Sequence, residues 1–141
     1  VFTASGNLDG GRFPVYDAKN YRTGEPFVKE FVEGINSWAR VNHAKELVLE
    51  EVLAMKGEEG LSEAEKHLGL PLPADCVKTV VADGITNYIG DLKSEDGIAR
   101  IRIMCEMNMP HWPTPEMIRQ MYAFFGHFSR DPKTKESIYH K

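Results

Sequence analysis

Val1, Phe2, Thr3 and Ala4 open the chain as an extended apolar stretch that runs into Ser5-Gly6-Asn7, the pattern of a strand followed by a turn. Gly6, Gly10, Gly11 and Pro14 then punctuate a polar segment reaching to about Gly24. It reads as a long loop, and long ordered loops in compact domains often carry sites. From Pro26, Phe27, Phe31, Ile35 and Trp38 recur at helical spacing beside Val28 and Val32, with Glu30, Glu33 and Arg40 between them. This predicts an amphipathic helix ending near Asn42. Glu46 to Met55 is helical in character, and Gly57 and Gly60 close it. Ser62 caps a short turn through Glu65, so residues 43 to 75 are expected to form a small helical excursion.

The pattern changes at Val77. Val80 and Val81 lead past Asp83-Gly84 into Ile85 to Leu92, and past Asp96-Gly97 into Ile98 to Met107, which predicts strands joined by turns. Ile101, Ile103, Cys105 and Met107 alternate with Arg100, Arg102, Met104 and Glu106, the period of a strand with one face buried more deeply. Cys105 is therefore expected to be a core thiol. Pro110 and Pro113 bracket His111-Trp112, so neither a helix nor a ladder can run through that segment, and the histidine is displayed on a stiff loop. Thr114 is a cap with Pro115 at the first helical position; Met117, Ile118, Met121, Phe124, Phe125 and Phe128 supply a broad apolar face. Ser129-Arg130-Asp131-Pro132 ends this helix, and residues 133–141 read as a polar tail. Strand, helix, excursion, strands, loop and helix in that order predict an α/β fold.

Composition narrows the classes. The 141 residues are 42% hydrophobic and 27% charged, as in an ordinary globular domain. A formal net charge of -4 offers no general attraction to nucleic acid or anionic lipid, which favours a small or neutral partner. No apolar run is long enough to span a bilayer and no secretory signal opens the chain. Compartment stays open, because two cysteines, Cys76 and Cys105, make no disulfide framework and no zinc spacing. The strand-like start without an initiator Met leads us to expect a processed or truncated chain.

Of five histidines, His111 has the most suggestive setting, just beyond a buried strand and before a capped helix, where open α/β sheets present their sites. A held imidazole there can take a proton from a hydroxyl and return it to a leaving group; the competing reading is a surface-loop histidine. Such a base needs a carboxylate to select its tautomer. Asp9, just past the first strand, is the best placed candidate and Asp17 the second, although Asp9 beside Gly10 is equally a turn former. Neither a metal motif nor a cofactor motif occurs. No Gly-x-Ser-x-Gly elbow is present, and Cys76 has no base close in sequence, so this chain alone is not expected to catalyse acyl transfer.

Together, a strand ending in Gly6-Asn7-Leu8-Asp9, a helix ending in Ser37-Trp38-Ala39-Arg40-Val41-Asn42, then Met109-Pro110-His111-Trp112-Pro113 and Phe124-Phe125-Gly126-His127-Phe128, resemble the C-terminal portion of the α/β-hydrolase superfamily. The likeness is to the esterase group that includes polyhydroxybutyrate depolymerase-like and feruloyl esterase-like proteins. It covers residues 1–42 and 77–130. It implies a three-layer fold of which residues 1–132 are the C-terminal portion, with Asp9 as acid, His111 as general base and the serine upstream of Val1. It further implies hydrolysis of a carboxylic ester through an acyl-enzyme, with the N-terminal portion of the same hydrolase as partner. Trp112 is a weak candidate for lining the cleft, against simple packing of the loop. Two other readings compete: a non-catalytic α/β binding or assembly module, and a self-sufficient domain whose Phe124, Phe125 and Phe128 form an interface, including one between copies of the chain.

Overall fold

The computed structural model describes residues 1–7, 25–55 and 60–141. In chain order they form strand β1 (Phe2–Asn7), helices α1 (Glu25–Val41), α2 (Leu49–Ala54) and α3 (Glu63–Leu68), strands β2 (Val77–Ala82), β3 (Ile85–Lys93) and β4 (Ala99–Met107), helix α4 (Pro115–Phe125), and strands β5 (Phe128–Arg130) and β6 (Ser137–Tyr139). Helices thus accompany a mixed four-stranded sheet in the order β1-β4-β3-β2. β1 runs parallel to β4, whereas β2, β3 and β4 form an antiparallel meander. The β2–β3 connection is the two-residue turn Asp83-Gly84, with φ of 52° and 76°. Positive φ at both positions lets the hairpin follow the twist of its strands, and Asp-Gly is a pair that tolerates it.

One face of the sheet holds Ile101 and Leu92 against Ile35 and Ala39 of α1, together with Leu70 and Leu72. Val32 and Val28, about one and two turns before Ile35 on α1, pack on Val52 of α2. The buried stripe of α1 is therefore Val28, Val32, Ile35 and Ala39, and Trp38, expected on that face, is 41% exposed. Asn36 is buried within this packing; its amide accepts from Leu47 N and donates to Leu47 O, tying the chain after α1 back to the helix. Ser62 and Glu65 form a reciprocal capping box at α3, and Gly69, at φ 69°, terminates the helix. Leu68 and Leu72 then lie against β3, where a Cβ on Gly90 would sit 2.5 Å from a Leu72 methyl. The segment expected as an excursion thus fills part of the core.

The opposite face is also buried, where the alternation in β4 suggested only that one face lies deeper than the other. Ile89 and Met104 are almost fully enclosed, and α4 covers this side through Phe124, whose ring lies 6.3 Å from that of Phe2. Arg102 projects here, gripping both carboxylate oxygens of Asp91 at 2.8 Å while its guanidinium lies 5.3 Å from the centre of the Phe124 ring. Three boundaries move as well. β1 continues through Ser5, Gly6 and Asn7 rather than turning there. α4 stops at Phe125, so Phe128 belongs to β5 and not to the helix. The expected polar tail contains β6, which pairs with β5 because Phe128 and Tyr139 meet edge to face, with ring centres 5.5 Å apart. Among the described residues no helix is long and apolar enough to cross a membrane.

Candidate functional site

Parallel pairing brings two distant segments to one rim. Asn7, the last residue of β1, lies beside Met107, the last residue of β4, and Gly6 lies beside Glu106. The chain leaves β4 through Asn108, whose φ of 57° reverses its direction, a conformation Asn accepts more readily than most residues. It then passes over β1. An ideal Cβ on Gly6 would fall 2.1 Å from the Pro110 carbonyl oxygen and 2.4 Å from that of Met109. The glycine signals a close backbone approach, where the sequence suggested a turn. At the apex, Trp112 N donates to Pro110 O at 2.7 Å, a three-residue turn centred on His111.

The far end of this loop is anchored by Thr114. Its side chain accepts from Met117 N at 3.2 Å as the cap of α4, and its hydroxyl donates to Glu106 Oε1. Glu106 thus stands immediately before the loop and is tied to the residue immediately after it. Thr114 and Glu106 are both buried, Glu106 at 0% exposure. Burial pushes the Glu106 carboxyl above its usual range, the Thr114 hydrogen bond opposing this only in part. Beside it on β3 is Asn87, also at 0% exposure, whose amide nitrogen donates to Val80 O at 3.2 Å and Ile85 O at 3.0 Å. Asn87 Oδ1 and Glu106 Oε2 have no hydrogen-bond partner among the described residues.

His111 and Trp112 both present exposed side chains on the loop, Trp112 at 70%. Asp9 and Asp17 lie outside the described residues; the strand that leads towards them ends at the His111 rim. The alternation along β4 groups Glu106 with Arg100 and Arg102 as a polar position, which hides it as a site residue. Its neighbours Met104, Cys105 and Met107 were the available signal that a carboxylate there would be enclosed.

Other chemistry lies elsewhere. His127, Ser129 and His140 meet on the exposed β5–β6 hairpin, with Ser129 Oγ 2.6 Å from His140 Nε2 and His127 Nδ1 3.1 Å from His140 O. A groove lined by Val1, Arg100, Phe124, Phe128 and Arg130 lies at the other end of β1 and β4 from His111. Cys76 is half-buried, and burial raises its thiol, with Lys93 opposing, so it does not have the depressed thiol of a nucleophile. Among the described residues no group of three or more His, Cys, Asp or Glu side chains is arranged to hold a metal ion. Comparison of the chain with protein-family models, with curated proteins and with solved structures gives no match.

Proposed function

We propose that this chain is the C-terminal part of an α/β-hydrolase ester hydrolase, contributing His111 as general base and Asp9 as the acid of a Ser-His-Asp triad. The nucleophilic serine comes from polypeptide upstream of Val1. The observation that carries the reading is the parallel pairing of β1 with β4 in a register that ends both strands at one rim. A carboxylate shortly after the first strand and an imidazole shortly after the second then start from neighbouring positions, as a base and its orienting acid require. The tight turn at His111 and the clamp of its loop against Gly6 are further support, since a catalytic imidazole must be held within a fraction of an ångström.

In this scheme His111 takes the serine proton as the ester carbonyl is attacked and delivers it to the leaving alcohol. It then activates water for hydrolysis of the acyl-enzyme. Trp112 flanks the entrance for an ester substrate. The test uses the complete protein with a fluorophosphonate serine probe and a chromogenic short-chain ester. The proposal expects covalent labelling, ester turnover, and loss of turnover in His111→Ala with the fold retained. Asp9→Asn should lose most of the rate, and a full rate there would move the acid to Asp17. Absence of both labelling and turnover would assign the chain to the binding or assembly alternative.

A further inference from the structure

We infer that Glu106 is held in the folded protein as the neutral carboxylic acid, donating from Oε2 to Asn87 Oδ1, and that as a positioning residue it sets the loop carrying His111. Of three buried side-chain oxygens without a hydrogen-bond partner among the described residues, Glu116 Oε2 is ion-paired with Arg119, which leaves Asn87 Oδ1 and Glu106 Oε2, both acceptors in their ordinary forms. They belong to directly paired residues of β3 and β4, and side chains of such a pair project from the same face. The orientation of the Asn87 amide is set by its nitrogen, which is committed to Val80 O of β2 and Ile85 O of β3. Flipping it would bring its oxygen against two carbonyls, so Oδ1 stays towards β4. One proton on Glu106 satisfies both orphaned oxygens, whereas an ionised carboxylate satisfies neither and sets a charge beside the amide oxygen.

Among the described residues, the surroundings of Glu106 supply no unpaired cation beside it that would favour ionisation. At this face β1 contributes Ala4 and Gly6, β4 Met104, β3 Ile89 and Asn87, and β2 Val80. The segment entering α4 contributes Thr114 and Glu116, whose carboxylate pairs with Arg119 and accepts from Gln120 at 2.6 Å. The cation farther along the same face, Arg102, is engaged by Asp91, and Lys78 on β2 lies towards that pair. The raised carboxyl described above agrees with this environment.

The consequence for the site follows from connectivity. Glu106 Oε1 accepts from Thr114, and the same Thr114 oxygen accepts from Met117 N, so the carboxyl group, the start of α4 and the end of the His111 loop form one chain of hydrogen bonds. With Asn87 fixed on β2 and β3, the loop is referred to the sheet rather than to α4 alone. The role in turnover rests on the esterase reading, whereas the protonation state and the loop geometry do not.

Difference infrared spectra of the complete protein at neutral pH, wild type minus Glu106→Gln, test the first part. A carbonyl band of a protonated carboxylic acid is expected; its absence would overturn the inference. Glu106→Gln reproduces the neutral acid, since its amide N–H can serve Asn87 while its oxygen accepts from Thr114, and Glu106→Leu does neither. The His111 ring resonances should therefore shift in Glu106→Leu and return close to their wild-type positions in Glu106→Gln. Equal shifts in both variants, or none in either, would overturn the positioning role. If the protein turns over esters, kcat should fall roughly tenfold or more in Glu106→Leu at similar KM and recover in Glu106→Gln. If it does not, the esterase reading fails, and the infrared band and ring resonances still decide this inference.

Discussion

Gly6→Ala tests the geometry on which the site depends. The added methyl would meet the Pro110 carbonyl oxygen at 2.1 Å and the Met109 carbonyl oxygen at 2.4 Å, and both obstacles are backbone. No rotamer change relieves them, so β1 and the loop must separate by roughly 1 Å to restore an ordinary contact. The loop has little slack, because Asn108 adopts a left-handed conformation at one end and Thr114 is bonded to Glu106 and Met117 at the other. Overpacking of this kind costs about 3 kcal/mol. Urea unfolding should show that loss as a lower midpoint at unchanged slope. Gly34→Ala is the control: its methyl would meet nothing within 4 Å inside α1, so it should stabilise by roughly 0.5–1 kcal/mol. If a displacement of roughly 1 Å reaches His111, ester turnover by the complete protein should drop on the order of a hundredfold. A Gly6→Ala protein within about 0.5 kcal/mol of wild type would refute the close approach.

Arg102→Met leaves Asp91, whose side chain is only 16% exposed, without its bidentate partner, and should cost about 3 kcal/mol in urea unfolding. Adding Asp91→Leu should recover a large part of that loss, and a double variant as unstable as the single one would contradict a desolvated ion pair. Ser62→Ala removes the hydroxyl that accepts from Glu65 N, leaving the backbone N–H of residue 62 donating to the Glu65 carboxylate, and should lower stability by about 1 kcal/mol, with faster amide exchange at Glu65 as the local marker. The Asp131 carboxylate, which accepts from Lys133 N and Thr134 N in the β5–β6 turn, is held below its ordinary range by those hydrogen bonds. Its contribution is therefore present at neutral pH and is lost as pH falls through that depressed value. Ring resonances of Phe128 and Tyr139 should follow this loss in wild type and not in Asp131→Asn.

The elements were largely legible because they rest on local rules. The helical spacing across α1, the Ser62 cap, the Thr114-Pro115 start of α4 and the Asp83-Gly84 turn all specify structure within a few residues of themselves. His111 was legible as a displayed loop residue for the same reason, its two flanking prolines. The misread positions are those where a distant segment intervenes. Gly6 looks like a turn residue, yet extends a strand because Met109 and Pro110 cross over it. Residues 137–139 look like solvated tail, but Phe128 gives them a strand to pair with.

Local order in the amino-acid sequence therefore determined the core of α1, the caps of α3 and α4 and the β2–β3 turn, and marked one histidine as presented on a stiff loop. Tertiary structure alone decided that β1 pairs in parallel with β4, that the two strands end at one rim, and that Glu106 and Asn87, paired across β4 and β3, are both enclosed. Period-two alternation says that a side chain lies on one face or the other of a strand. Whether that face is wet depends on what packs over it, here α4 and the loop before it, and that is a property of the whole chain.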